Sequence, residues 1–202
     1  MRSSSFERFA GLLAILAGIA IFLYSVAFII ISRSAPGTGA LLSAVFLLLS
    51  GLLSTAPLVA VYYRLRETDG PFAVWALLLT LAGGLGSAIH GGYDLANIIN
   101  PPGADVPPLP SSIDPRGLLT FGMAGIGLFV VAWLITRGGQ LPRGLSYVVY
   151  VLAVLLVVLY LGRLIVLNPA SPVILVPALL AGFIFNPVWY VWLGLALSRN
   201  QK

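Results

Sequence analysis

The stretch FAGLLAILAGIAIFLYSVAFIIIS, from Phe9 to Ser32, decides the fold class of this chain because it runs for 24 residues without a charged side chain. About 20 mostly apolar residues in a helix cross the hydrocarbon core of a bilayer. The whole chain of 202 residues has the same character: 59% of its residues are hydrophobic, 8% are charged, and the mean hydropathy is +1.04. This composition exceeds what a water-soluble domain can bury, so the sequence predicts an integral membrane protein.

Five further apolar runs follow the first, separated by Pro, Gly, Ser or charged residues. We predict an all-α polytopic membrane protein in which six transmembrane helices form one bundle and one domain over residues 1–202. The predicted helices are 9–32, 39–65, 71–97, 117–136, 145–167 and 173–198. A proline-rich connection, 100–116, joins the third helix to the fourth. We interpret it as a stiff external spacer, with a lid over the bundle as the alternative.

The basic residues outside the predicted helices predict the orientation, because cytoplasmic loops carry an excess of Lys and Arg. One side of the bundle would hold Arg2, Arg8, Arg64, Arg66, Arg137, Arg143, Arg199 and Lys202. The other side would hold only Arg33 and Arg116. We therefore expect both termini in the cytoplasm, and the high ratio of Arg to Lys favours the inner (plasma) membrane of a bacterium. The bilayer is the expected partner, and nucleic acid is not.

Small residues on the third helix predict its packing. They form two adjacent stripes, Gly83, Ser87 and Gly91, and Gly84, Ala88 and Gly92. Small side chains let helix backbones approach closely in membranes, so the third helix is expected to be central and tightly packed. Gly122, Gly125 and Gly127 predict a second close contact on the fourth helix. An interfacial belt is expected to explain most of a set of aromatic residues, with ligand stacking as the alternative; the set is Tyr62, Tyr63, Trp189, Tyr190 and Trp192.

Polar residues inside the apolar runs are the candidate functional residues. His90 and Asp94 are four residues apart and share a helical face, and Arg163 lies at a matching depth on the fifth helix. Charged side chains within a bilayer usually face a partner or a cavity, so we predict an ion pair or a shared pocket for Asp94 and Arg163. The full set of candidate ligand-binding residues is His90, Asp94, Asn97, Tyr160, Arg163 and Asn186.

Several kinds of chemistry are not expected. The chain has no cysteine, which excludes disulfides and thiolate metal sites. One histidine with one nearby aspartate is too few ligands for a metal centre, and we expect no metal and no cofactor. Ser87, His90 and Asp94 lie on one helix and cannot easily adopt the sequential geometry of a catalytic triad. The catalytic residues of any activity therefore stay unknown.

Three segments carry a resemblance to a known group of proteins. They are HGGYDLAN from His90 to Asn97, NPVWYVWLG from Asn186 to Gly194, and LPR from Leu141 to Arg143. The chain resembles bacterial six-helix integral membrane proteins that are grouped as a domain of unknown function. The resemblance implies an architecture and no activity.

Three functions are compatible with these features. The first is the binding or handling of a small amphiphile, lipid or hydrophobic solute, with the polar cluster holding the head in the outer leaflet. The second is a structural or accessory membrane subunit, in a homo-oligomer or with a partner membrane protein, whose Asp, Arg and His residues only fix helix packing. The third is an intramembrane enzyme that uses His90 as an acid or base. Enzymatic activity is the less favoured class.

Overall fold

A computed structural model of the chain describes residues 5–101, 117–166, 168 and 171–199. Within these residues the protein is all-helical, and six helices are long and apolar enough to cross a membrane. They are α1 Ser5–Ser34, α2 Pro36–Leu65, α3 Gly70–Ile99, α4 Leu118–Gly138, α5 Arg143–Ile165 and α6 Pro172–Ser198. The prediction of an all-α fold with six helices that are long and apolar enough to cross a membrane is confirmed for the described residues. Most of the proline-rich connection lies outside the described residues.

The start of α1, the end of α2 and the end of α6 lie at one end of the bundle. Glu7 pairs with Arg64, with its Oε1 atom 2.5 Å from the Arg64 Nε atom. A Cβ atom added to Gly11 would collide with Ser198 and lie 2.8 Å from the Gly194 carbonyl oxygen. We call this the proximal end. The distal end carries the α1–α2, α3–α4 and α5–α6 connections.

The six helices form a ring in chain order. Each helix packs against its neighbours in the sequence, and α1 packs against α6 to close the ring. The closing contact depends on two glycines, because a Cβ atom on Gly194 would lie 2.5 Å from the carbonyl oxygen of Gly11. Since chain neighbours are spatial neighbours throughout, short connections suffice between most helices.

Glycine contacts confirm the close packing predicted for α3 and α4. A Cβ atom on Gly51 of α2 would lie 2.5 Å from the backbone nitrogen of Ala88, and one on Gly83 would lie 2.5 Å from the Cβ atom of Ala124. A Cβ atom on Gly125 would lie 3.0 Å from the carbonyl oxygen of Ala153 on α5. The predicted central position of α3 is wrong, however, because α3 is one member of a ring and packs mainly on α2 and α4.

The proximal half of the ring is filled by side chains. Leu134, Leu145, Leu193 and Leu197 have no exposed surface, and neither does Trp189. Trp189 therefore lies in the core of the ring and does not belong to the interfacial belt that was expected for most of these aromatic residues. This packed core closes the middle of the bundle toward the proximal end.

The distal half is less regular. Three segments have π-helical geometry, with about one more residue per turn than an α-helix: Val26–Ile31 in α1, Leu118–Met123 at the start of α4, and Ala181–Phe185 in α6. The segment in α6 is followed by Pro187, which has no backbone N–H to donate to the preceding turn. A π-helical turn changes the direction in which the following side chains point. The three segments therefore determine which side chains of the distal half face the interior of the ring.

Candidate ligand-binding cavity

A cavity of about 260 Å³ lies inside the ring, and all six helices contribute to its wall. On α6 the lining extends from Ile174 near the distal end to Tyr190. These residues are 16 positions apart, which corresponds to about 24 Å along a helix. Since half the hydrocarbon core is about 15 Å thick, the cavity reaches from the distal interface past the middle of the predicted membrane.

The three π-helical segments meet at this cavity. Phe28 from α1, Thr120 and Phe121 from α4, and Ala181 and Gly182 from α6 all line it. π-Helical turns are less favourable than α-helical ones and occur frequently at functional sites. Their convergence on one space indicates that the cavity is a built feature of the fold rather than a packing defect.

Much of the polar lining consists of hydroxyl groups that bond to their own helices. The Ser50 hydroxyl donates to the Leu47 carbonyl oxygen at 2.9 Å, and the Ser54 hydroxyl donates to the Gly51 carbonyl oxygen at 2.8 Å. Ser25, Thr80 and Ser87 line the cavity and make equivalent bonds to their own helices. A hydroxyl that donates in this way keeps lone pairs that can accept a further bond, so the middle of the cavity is only mildly polar.

The charge in the cavity wall comes from Arg163. It is the one basic residue among the described lining residues, which include no Asp or Glu. The Cζ atom of Arg163 lies 5.6 Å from the centre of the Phe121 ring, within the range of a cation–π interaction. No carboxylate is within ion-pair distance of Arg163 in the part of the chain that the structure describes. The cavity is therefore apolar along most of its length and positive at its distal end.

Thr120 contributes a second polar group to the distal wall. Its Oγ1 atom is buried and has no hydrogen-bond partner among the described residues. Thr120 directly precedes Phe121, whose ring faces the Arg163 guanidinium. A buried hydroxyl without a partner costs about 1–3 kcal/mol, so this position favours a ligand or water that can hydrogen-bond.

The structure brings together only part of the predicted site. Arg163 and Asn186 line the cavity, whereas His90, Asn97 and Tyr160 are not among its described lining residues. The Tyr160 ring instead packs beside Gly122, where an added Cβ atom would lie 3.2 Å from the Tyr160 Cδ1 atom. The half-buried Asn97 lies in the last turn of α3.

His90 and Asp94 pair with each other. The His90 Nε2 atom lies 3.4 Å from the Asp94 Oδ2 atom, and the two side chains are 13% and 40% exposed. The predicted Asp94–Arg163 ion pair is not present among the described residues. Arg163 lines the cavity, whereas Asp94 is not among the described lining residues.

The ring has an opening between α1 and α6 in its distal half. Val26–Ile31 packs on α2, and Pro172–Leu180 packs on α5, while these two segments are not packed against each other. Ser25 and Gly182 mark the proximal limit of the opening, since a Cβ atom on Gly182 would collide with the Ser25 hydroxyl. Phe28 lines the cavity and is also 59% exposed. Phe28 therefore borders both the cavity and this opening.

Sequence reasoning missed several of these residues. Tyr24, Ser50, Ser54 and Thr120 are isolated polar residues in apolar runs, and nothing in the sequence shows that they converge. The available signal was their polarity at predicted membrane depth, which is unusual enough to mark interior-facing positions.

Comparison with known proteins leaves the family open. No protein-family model, curated protein or solved structure matches the chain. The resemblance to six-helix proteins of unknown function therefore stays a prediction, and the functional argument depends on the cavity itself.

Proposed function

We propose that this protein binds or handles a small amphiphile, lipid or hydrophobic solute in the cavity between its six helices. The observation that carries the proposal is a cavity of about 260 Å³ with apolar walls and one cationic side chain at its distal end. Ligand sites are typically concave and mostly apolar, with a few well-placed polar groups. A ligand with a polar head and an apolar tail matches this distribution.

The size of the cavity supports a ligand of modest length. A volume of 260 Å³ equals about nine groups the size of a water molecule, at about 30 Å³ each. One hydrocarbon chain, or part of one, fits this space better than a whole phospholipid with two chains. The opening beside Phe28 allows the remaining part of a larger molecule to stay in the bilayer.

The cavity also favours binding over the two other functions considered. A purely structural network of Asp, Arg and His residues requires no cavity. An intramembrane enzyme that uses His90 requires this side chain at the reacting space, and His90 is not among the described lining residues. Both alternatives stay predictions without a supporting contact of their own.

The proposal includes a location and an orientation. It takes the membrane to be the inner (plasma) membrane of a bacterium, with both termini in the cytoplasm and the distal end outside. The excess of basic residues at the proximal end supports this orientation. Arg66 lies over the Tyr63 ring and Arg137 over the Trp133 ring, each with its Cζ atom 4.7 Å from the ring centre. Paired cations and aromatic rings are suited to the membrane interface.

The test is native mass spectrometry and lipid extraction of the full chain after gentle solubilisation. Ala178 lines the cavity on α6, so Ala178→Phe should fill it and reduce a bound adduct at least tenfold. Val176→Phe is the matched control, because Val176 is on the same helix, is 50% exposed and does not line the cavity. Wild type and the Val176 variant should carry the same discrete adduct.

A second variant protects the test against misfolding. Leu159→Phe narrows the cavity from the α5 wall, and gel filtration identifies which of the two cavity variants is folded. The proposal is wrong if wild type carries no adduct, or if folded cavity variants retain the same adduct at the same occupancy.

A further inference from the structure

The distal end of the cavity combines three features that recognise a negative charge. Arg163 supplies a cation, Thr120 supplies a buried hydroxyl without a described partner, and the described lining contains no carboxylate. A positive head group would be repelled by Arg163, and a neutral one would leave the guanidinium without a counterion. An anionic head group satisfies both Arg163 and Thr120.

We infer that the ligand is a single-chain amphiphile with an anionic head group, held by Arg163 at the distal end while its chain extends into the cavity. This inference rests on the proposed function and names its ligand class. The chemistry that Arg163 recognises is a carboxylate or a phosphate, since the planar guanidinium can donate two parallel hydrogen bonds to either group.

The position of Arg163 fits the geometry of such a ligand. Arg163 lies two residues before the end of α5 at Ile165, close to the predicted interface, where a charged head group stays near water. Leu159 and Leu156 follow it along the cavity wall toward the middle of the bundle. A head at Arg163 therefore places the first part of the chain against apolar residues, and the rest of the chain extends into the mildly polar middle of the cavity.

The opening between α1 and α6 gives this ligand a path from the bilayer. Phe28 borders this opening, since it lines the cavity and is also exposed. An anionic amphiphile in the leaflet at the distal end already holds its head at the depth of Arg163. It can move sideways into the cavity without carrying its charge through the hydrocarbon core, which would be costly.

The experiment measures direct binding of radiolabelled palmitate and radiolabelled hexadecanol to the purified full chain in detergent, at a pH at which the carboxylate is ionised. Wild type should bind palmitate at least tenfold more tightly than hexadecanol. Arg163→Gln should remove this difference with little effect on hexadecanol, and Arg163→Lys should retain part of it. Arg33→Gln is the matched control, because Arg33 is an exposed arginine at the distal end that does not line the cavity.

The outcomes separate this inference from the proposed function. Equal affinity of wild type for palmitate and hexadecanol, unchanged in Arg163→Gln, would overturn the anionic ligand and leave amphiphile binding in place. Absence of saturable binding of either probe would overturn both. Competition with hexadecyl phosphate then distinguishes the two anionic head groups. If hexadecyl phosphate displaces radiolabelled palmitate more strongly than unlabelled palmitate does, the preferred head group is a phosphate. If it displaces it more weakly, the preferred head group is a carboxylate.

Discussion

Two adjacent glycines of α3 allow a direct test of the close packing between α2 and α3 in the ring. A Cβ atom on Gly91 would collide with the backbone nitrogen of Leu48 and lie 2.6 Å from the carbonyl oxygen of Ala44, both on α2. A Cβ atom on Gly92 would meet only the Cδ1 atom of Leu48, at 3.8 Å, which is an ordinary van der Waals contact. Gly91→Ala and Gly92→Ala therefore add the same methyl group to neighbouring positions with opposite consequences.

The magnitudes follow from two opposing effects. Replacing glycine by alanine within a helix stabilises the fold by about 0.5–1 kcal/mol, and at Gly92 nothing opposes this gain. Overpacking costs about 1–3 kcal/mol, and at Gly91 the atoms in the way belong to a backbone that cannot rotate aside. Since the helical gain is common to both variants, Gly91→Ala should be less stable than Gly92→Ala by about 1–3 kcal/mol, or roughly tenfold in the folding equilibrium for each 1.4 kcal/mol.

The assay is unfolding by sodium dodecyl sulfate in mixed micelles, followed by tryptophan fluorescence. We expect the unfolding midpoint of Gly91→Ala to fall below that of wild type, and the midpoint of Gly92→Ala to equal or exceed it. Equal midpoints for the two variants, or a more stable Gly91→Ala, would refute the close contact between α2 and α3.

Two further predictions concern stability. Glu7→Gln should destabilise the protein by about 1–3 kcal/mol, because the paired side chains of Arg64 and Glu7 are only 12% and 16% exposed. This cost lies between that of breaking an ion pair on the surface and that of breaking a fully buried one. An unchanged thermal midpoint would contradict this prediction. Leu152→Ala should cost about 2–5 kcal/mol because Leu152 is fully buried. The adjacent Val151→Ala should cost much less, since Val151 is 42% exposed, and the two midpoints should differ accordingly.

The fold class could be predicted from the sequence because membrane insertion depends mainly on hydropathy along the chain. Long apolar runs such as Phe9 to Ser32 predict the class, and the charged or proline-containing breaks predict the approximate ends. The glycines of α3 and α4 indicated where backbones approach closely. They could not indicate that the helices close into a ring, because that depends on the contact between Gly11 and Gly194, which are far apart in the sequence.

The candidate site was harder to predict from the sequence than the fold, for a physical reason. Sequence reasoning ranks polar residues by how unusual they are, and His90 and Asp94 stand out on one face of one helix. Their proximity in sequence lets them pair with each other, and Asp94 makes no ion pair with Arg163 among the described residues. Arg163 stands out in the sequence as a charge within an apolar run, but its environment is built from isolated residues such as Thr120 that no local pattern connects.

The π-helical segments explain why periodicity alone could not predict the cavity. An α-helix presents every third or fourth residue to one side, and a π-helical turn shifts this pattern by about one residue. The segment Ala181–Phe185 has a sequence signal nearby, the proline at position 187. The regular proximal half packs into a core without such turns, whereas the distal half contains all three and surrounds the cavity. The gathering of these less favourable turns around one cationic, apolar space supports the proposed ligand site.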